Sequence, residues 1–355
     1  MSLFSPGYLS LVDVAKSLDS EGKVAKVAEL LNTSSELVRY ATLIEGNLPT
    51  GNKTFVRTSL PVISPRRWYT GTASTKTTVA AVEDTAMTYQ CRPQMDQKAA
   101  DFNGNTAAMR LRETIGHIEA MNQAYQTSIL YGNANTQKDS ILGLTPRYNA
   151  ISGGGPQAVN IINAGGSNAA ANTSIWLIGW GEGAISTFYP KNGKGGLQQE
   201  DLGIVDAFDG NQHPYRAYAE LLTWEFGLAV EDWRYAVRIC NDNLTDLVTQ
   251  ANTQAITAST WINKLMIRAM ARIPSMGVAN CTFLASRTVK EMLSVGALDK
   301  SQNALSFTAA LDQYGRVQAG GVAGSGTGIQ GAQLMFQGIP VLTVDQLLGT
   351  EAVVS

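Results

Sequence analysis

Thr54-Phe55-Val56-Arg57-Thr58 and Leu60-Pro61-Val62-Ile63 are followed by Ser64-Pro65-Arg66-Arg67-Trp68-Tyr69-Thr70-Gly71-Thr72, and then by an alternating run from Thr77 to Cys91 that carries Val79, Val82 and Tyr89. Two β-prone runs flanking a Pro/Gly-containing, basic and aromatic connection predict one long β-hairpin. A two-stranded ribbon is at best marginally stable alone in water. This one has few large apolar residues for its length, so it must lie on something, either the rest of the chain or a neighbour. Arg66, Arg67, Trp68 and Tyr69 at its tip also have the composition of a nucleic-acid stacking patch, although one isolated cluster on a chain without basic excess argues against that use.

Directly after the hairpin comes the clearest helical period of the chain. Over 104–131, Leu111, Ile115, Ile118, Tyr125 and Ile129 fall on one stripe with Met121 beside it. Asn105 suits the N-cap and Gly132 the C′ position. At 1.5 Å per residue the helix is a rod of about 40 Å. Arg110, Arg112, Glu113, Glu119, Asn122, Gln123 and Gln126 keep the other side polar, so the stripe is expected to be core.

Before the hairpin, residues 8–45 read as one or two short amphipathic helices: Leu9, Val12, Val14 and Leu18, then Val24, Val27, Leu30 and Leu31, with a last turn through Leu37, Val38 and Ala41. After the long helix, 133–173 is rich in Asn, Gly and Ala and reads as loop. Ser174 to Tyr189 is strand-like, and Lys191 to Gly196 is a turn. Residues 215–240 read as strands, Trp224-Phe226-Leu228 and Tyr235-Val237-Ile239 alternating with Glu225-Gly227 and Arg234-Ala236-Arg238. A helix over Thr257 to Ile273 stops at Pro274, Cys281 to Ala285 is a strand, and Ser286 caps a helix from Arg287 to Val295. Residues 312–331 are glycine-rich, and Leu334-Met335-Phe336 and Gly338-Ile339-Pro340-Val341-Leu342 close the chain as strands around a turn.

The 355 residues suggest about two domains. Net charge is −2, against the basic excess of a chain that mainly grips nucleic acid. Charged residues are 16%, below the ~25% of typical soluble domains, which fits either a surface covered by other chains or a monomer with a Ser/Thr/Asn/Gln surface. No window is apolar enough for a membrane span, and the Met-Ser-Leu-Phe-Ser-Pro start does not read as a signal peptide. Cys91, Cys240 and Cys281, odd in number and far apart, read as thiols of a reducing compartment.

Enzyme chemistry finds little support. His117 and His213 have no second His or Cys at metal-ligand spacing and read as structural or solvated, and no Gly-x-Ser-x-Gly elbow is present. Gly326-x-Gly328-x-x-Gly331 matches a dinucleotide fingerprint by letters, but a glycine-rich loop precedes it and a strand follows, where a strand and then a helix are needed to hold a pyrophosphate. Gly46-x4-Gly51-Asn52-Lys53-Thr54 misses a phosphate loop by one residue. No catalytic residue, metal or cofactor is expected.

Several local patterns, in order, resemble the major capsid proteins of tailed bacteriophages. They are the hairpin before the long helix; Trp180-Gly181 followed by Tyr189-Pro190-Lys191 and Gly195-Gly196-Leu197; Gly227-Leu228-Ala229-Val230-Glu231-Asp232-Trp233-Arg234-Tyr235; and Phe283-Leu284-Ala285-Ser286-Arg287-Thr288 answered by Phe336-Gln337-Gly338-Ile339-Pro340-Val341. The resemblance implies an α+β chain of the Hong Kong 97 type. It would have an N-terminal arm at 1–48, an extended hairpin loop at 49–96 and a peripheral domain at 97–244 with its spine helix at 104–131. An axial domain would follow at 245–340, and a C-terminal strand at 341–355 would return to the peripheral domain. It further implies pentamers and hexamers of this chain in an icosahedral shell around double-stranded DNA, assembled in the cytoplasm of a bacterial host. Partners would be a separate scaffolding protein (unless none is needed), a portal and a decoration protein, with no membrane. Arg66, Arg67, Trp68 and Tyr69 would be the subunit-interface residues, Trp, Tyr and Arg being the types enriched at interface hot spots. Lys53 and Lys76 lie in the hairpin without an identifiable asparagine partner, so no isopeptide cross-link is expected.

Two alternatives remain at this point: an encapsulin-type shell, which shares the fold and encloses protein, and a β-rich glycan-binding adhesin, suggested by six tryptophans and the Gly/Asn-rich loops.

Overall fold

The structure is a computed structural model that describes residues 37–101, 105–153, 155–252, 261–298, 305–308 and 333–355. The helical reading of residues 8–36, the start of the helix at 257–260 and the Gly326–Gly331 motif lie outside the described residues. The described chain divides into two compact units. One comprises Met87–Tyr125 and Asn192–Phe226; the other holds the described parts of Ser34–Ala86, Gln126–Lys191 and Gly227–Ser355.

The second unit is built on a mixed sheet. Its strands lie in the order Ile161–Asn163, Ala236–Asn243, Asn172–Trp180, Asn280–Ala285, Ile339–Thr343, Gln333–Phe336 and Leu305–Thr308. The Asn172–Trp180 strand is buried at every position. It pairs antiparallel with both of these neighbours, and because both of its faces are covered its apolar run is nearly continuous where a half-buried strand would alternate. Trp176, Trp180, Phe188, Phe283 and Phe336 are fully buried, and Phe283 meets Phe336 edge-on with 5.8 Å between ring centres. Each such ring contributes roughly 2–3 kcal/mol by leaving water. The turn between the last two strands is Gln337-Gly338, both with positive φ, as a two-residue hairpin loop requires. The helix predicted before that pair is present as Arg287–Leu298, and Ser286 Oγ accepts from the Val289 amide at 3.4 Å.

In the first unit, Leu197–Phe208 pairs antiparallel with Pro214–Val230 through Trp224, and Gln94–Asp96 pairs with 217–219 of the same strand. Met95, Ala100 and Met109 form a small apolar core with Ala99 and Tyr218 against it. Tyr89, Tyr125, Trp224 and Phe226 form an aromatic cluster: Tyr125 stacks on Trp224 at 4.5 Å and Tyr89 on Phe226 at 4.6 Å.

The long helix is Thr106–Tyr131, and Asn105 Oδ1 accepts from the Ala108 amide at 3.3 Å as the expected cap. Gly132 follows it for a different reason from the expected left-handed turn. A Cβ there would lie 2.4 Å from the Ser128 carbonyl and 2.6 Å from that of Ile141. Other expectations change too. Leu43–Glu45 is a strand, parallel to Ile185–Tyr189, and not the end of a helix. Residues 133–173 are not all loop: they hold Leu144–Arg147, a 3-10 turn at Pro156–Asn160 and the Ile161–Asn163 strand. Tyr235 ends a 3-10 turn, and Arg238 is buried where alternation gave it a solvent face.

Candidate subunit-contact surfaces

Gly51–Ser59 and Thr78–Cys91 form the hairpin, in register from Gly51 opposite Thr85 to Arg57 opposite Val79, with a register shift before Ser59 opposite Thr78. Residues 60–77 extend past this ladder without regular structure. All of their side chains except Pro61 are exposed, including Leu60, Val62, Ile63 at 92%, Trp68 at 90% and Tyr69 at 102%. The tip turns at Trp68-Tyr69. The Thr70 amide donates to the Arg67 carbonyl at 3.3 Å, Tyr69 takes φ 61°, and Arg66 Nε donates to the Thr70 carbonyl at 2.9 Å. The four tip residues singled out by sequence therefore sit together on one projecting turn. Isolated exposed apolar residues are ordinary on monomers, whereas this turn holds two exposed aromatics side by side.

The root of the hairpin is fixed. Asp84 is buried; its Oδ1 accepts from Arg147 Nη2 at 2.6 Å and its Oδ2 from the Val230 amide at 3.1 Å. Arg147 also donates to the Leu142 carbonyl. Gly51 must lack a side chain, since a Cβ would stand 2.2 Å from the Asp84 carbonyl oxygen. Asn47 brackets the strand start, donating to the Lys53 carbonyl at 2.7 Å and accepting from its amide at 2.8 Å.

The stripe of the long helix corrects its sequence reading. Met121, Tyr125 and Ile129 are core, but Leu111, Ile115 and Ile118 are exposed. Over those turns the side facing the protein is instead Met109, Thr114 and a polar cluster. Arg110 Nη2 donates to Asp201 at 2.7 Å and to Glu220 at 2.8 Å, while Thr114 and Gln199 donate to Glu220 Oε2. The Arg110 hydrogen bond draws the Asp201 carboxyl below its ordinary range. The helix thus carries an apolar ridge that nothing among the described residues of its own unit covers.

A second buried pair holds the C-terminal segment. Arg238 Nη2 donates to Glu351 Oε2 at 2.8 Å, Arg238 Nη1 to the Tyr148 carbonyl at 2.8 Å, and Ser174 Oγ donates to the same Glu351 oxygen. Tyr131 donates to Glu351 Oε1 at 2.5 Å, and burial raises its phenol far above the ordinary range. Asn241 closes the segment by accepting from the Val354 amide and donating to its carbonyl. Sequence alone missed both buried pairs; a lone Arg in an apolar alternation was the signal for this one.

Among the described residues no group of three His, Cys, Asp or Glu is placed to hold a metal ion, and no helix is long and apolar enough to cross a membrane.

The chain aligns over its whole length with a chain of the cryo-EM structure of bacteriophage Epsilon15, at 27% identity and a TM-score of 0.73, covering 99% of that chain. The bacteriophage JBD30 capsid aligns at 10% identity and a TM-score of 0.42, covering 76% of this chain and 86% of that one. The holo-SrpI encapsulin complex from Synechococcus elongatus aligns at 13% identity and a TM-score of 0.41, covering 66% and 97%. No curated protein matches. The family model described as major capsid protein GP7 matches residues 19–355. The α+β architecture is that of the Hong Kong 97-type phage capsids, and the chain belongs to the GP7 family of major capsid proteins.

Proposed function

We propose that pentamers and hexamers of this chain close into an icosahedral shell around double-stranded DNA, with the hairpin of each subunit lying across its neighbour. The observation that carries this reading is the hairpin itself, rooted by Asp84–Arg147 and bare at Trp68 and Tyr69, in a member of a capsid family. A monomer gains nothing from so much exposed apolar surface, whereas a neighbour covering Trp68, Tyr69 and Ile63 gains roughly 2 kcal/mol for each side chain it removes from water. Arg66, Arg67, Trp68 and Tyr69 are the contact residues. A hairpin fixed at its root and free beyond it bends to fit slightly different positions, as quasi-equivalent packing requires.

In this reading residues 1–48 form the arm, 49–96 the hairpin loop, 97–244 with 341–355 the peripheral domain, and 245–340 the axial domain. Assembly takes place in the bacterial cytoplasm with a separate scaffolding protein and a portal. With a net charge of −2 the chain has no basic excess with which to grip DNA, so the shell encloses the genome rather than binding it tightly.

The test is the content of particles purified from lysed host cells. Nuclease-resistant double-stranded DNA inside them is the expected result. A shell holding protein cargo and no DNA would overturn the reading in favour of an encapsulin-type compartment.

A further inference from the structure

Cys91 closes the second strand of the hairpin, and His117 lies on the long helix. Cys91 Sγ is 2.9 Å from His117 Nδ1. On the far side of the ring, His117 Nε2 is 3.5 Å from Glu113 Oε1, one helical turn earlier. All three side chains are partly exposed. The order is nucleophile, base, orienting carboxylate, which is the arrangement that activates a thiol. Glu113 also lines a shallow, open surface depression with Pro93, Met95, Arg110 and Tyr218, and a reagent reaches the partly exposed sulfur from solvent.

We infer that Cys91, with His117 as its base and Glu113 as positioning residue, is a thiolation site that accepts small disulfides. Glu113 favours the tautomer with the proton on Nε2, which leaves Nδ1 free to accept from sulfur. Burial pushes the Cys91 thiol up, so the resting sulfur keeps its proton and needs that base. With oxidised glutathione, His117 Nδ1 takes the Cys91 proton and the sulfur attacks one sulfur of the reagent. The reagent's S–S bond breaks as the mixed disulfide forms, and the departing glutathione sulfur takes the electron pair and then the proton from His117. Cys91 is oxidised, one glutathione is reduced, and no further co-reactant is needed.

Cys281 is the internal control. It is also partly exposed and its thiol is also pushed up by burial, but the chain's other histidine, His213, sits beside Asp209. The experiment incubates the full chain with oxidised glutathione and follows adducts by peptide mass spectrometry. Cys91 should react about 100-fold faster than Cys281. His117→Ala should remove that advantage, added imidazole should restore much of it, and Cys91→Ser should abolish the fast adduct. Equal rates at Cys91 and Cys281 in the unmodified chain would overturn the inference, as would a His117→Ala chain that reacts at the original rate.

Discussion

Asp84 and Arg147 meet at 2.6 Å with both side chains largely buried, 63 positions apart in the chain. Their pairing fastens the hairpin at its root, while the tip has no such support. Removing one partner leaves a buried charge uncompensated. Asp84→Ala should therefore cost about 3–5 kcal/mol in denaturant unfolding of the unassembled chain, and the hairpin should become protease-sensitive at its root. An unchanged midpoint would show that the pair is not what holds it.

The tip should behave in the opposite way. Trp68→Ala and Tyr69→Ala remove side chains that touch little within the subunit, so unfolding should move by less than about 0.5 kcal/mol. Shell formation, followed by light scattering, should be lost or strongly slowed. Normal assembly by the double variant would remove these residues from the interface.

The C-terminal pair gives a third prediction. Arg238 is fully buried and paired with Glu351. Glu351→Ala, or deletion of residues 350–355, should cost about 3–5 kcal/mol, seen as a drop in thermal midpoint and in soluble yield. Wild-type stability after the deletion would make the segment dispensable.

Asp242 sets a pH dependence. Burial, with the nearby Asp246 charge adding to it, raises its carboxyl from 3.8 to about 7. A carboxyl that is harder to ionise when folded binds more protons in the native state between these two values. Stability should therefore be full below pH ~4, fall as pH rises towards 7, and flatten above it. Asp242→Asn should abolish this slope and raise stability at pH 8 by roughly 3–4 kcal/mol, with little change at pH 4. A slope that persists in the variant would assign the effect elsewhere.

The helix ridge can be separated from the core by one comparison. Ile115→Asn, on the exposed part of the stripe, should change unfolding by less than about 0.5 kcal/mol. Ile129→Asn, fully buried, should cost several kcal/mol, since it places an amide in an apolar core. Equal losses would mean that the ridge is covered within the subunit.

These contrasts mark what a sequence can carry. The hairpin, the long helix and its Asn105 cap follow from local rules of alternation, period and turn chemistry, which need no knowledge of the partner. The period of the helix identifies a stripe but not what covers it, so Leu111 and Ile129 look alike until the structure separates them. Strand Leu197–Phe208 was unreadable because most of its positions are solvated or half-buried, leaving no apolar alternation. Arg238 and Glu351 are 113 positions apart, and nothing local links them. The tip residues were legible through their types, Arg, Trp and Tyr in one exposed turn. The root pair beneath them was not, since Arg147 lies in a stretch that looks like loop.

Shell formation by this chain is measured most directly by negative-stain electron microscopy of the full chain after a sizing column, expressed alone and together with a scaffolding protein from the same gene cluster. Closed or irregular shells tens of nanometres across, in either preparation, are the predicted result. Only monomers or small rings in both would contradict it.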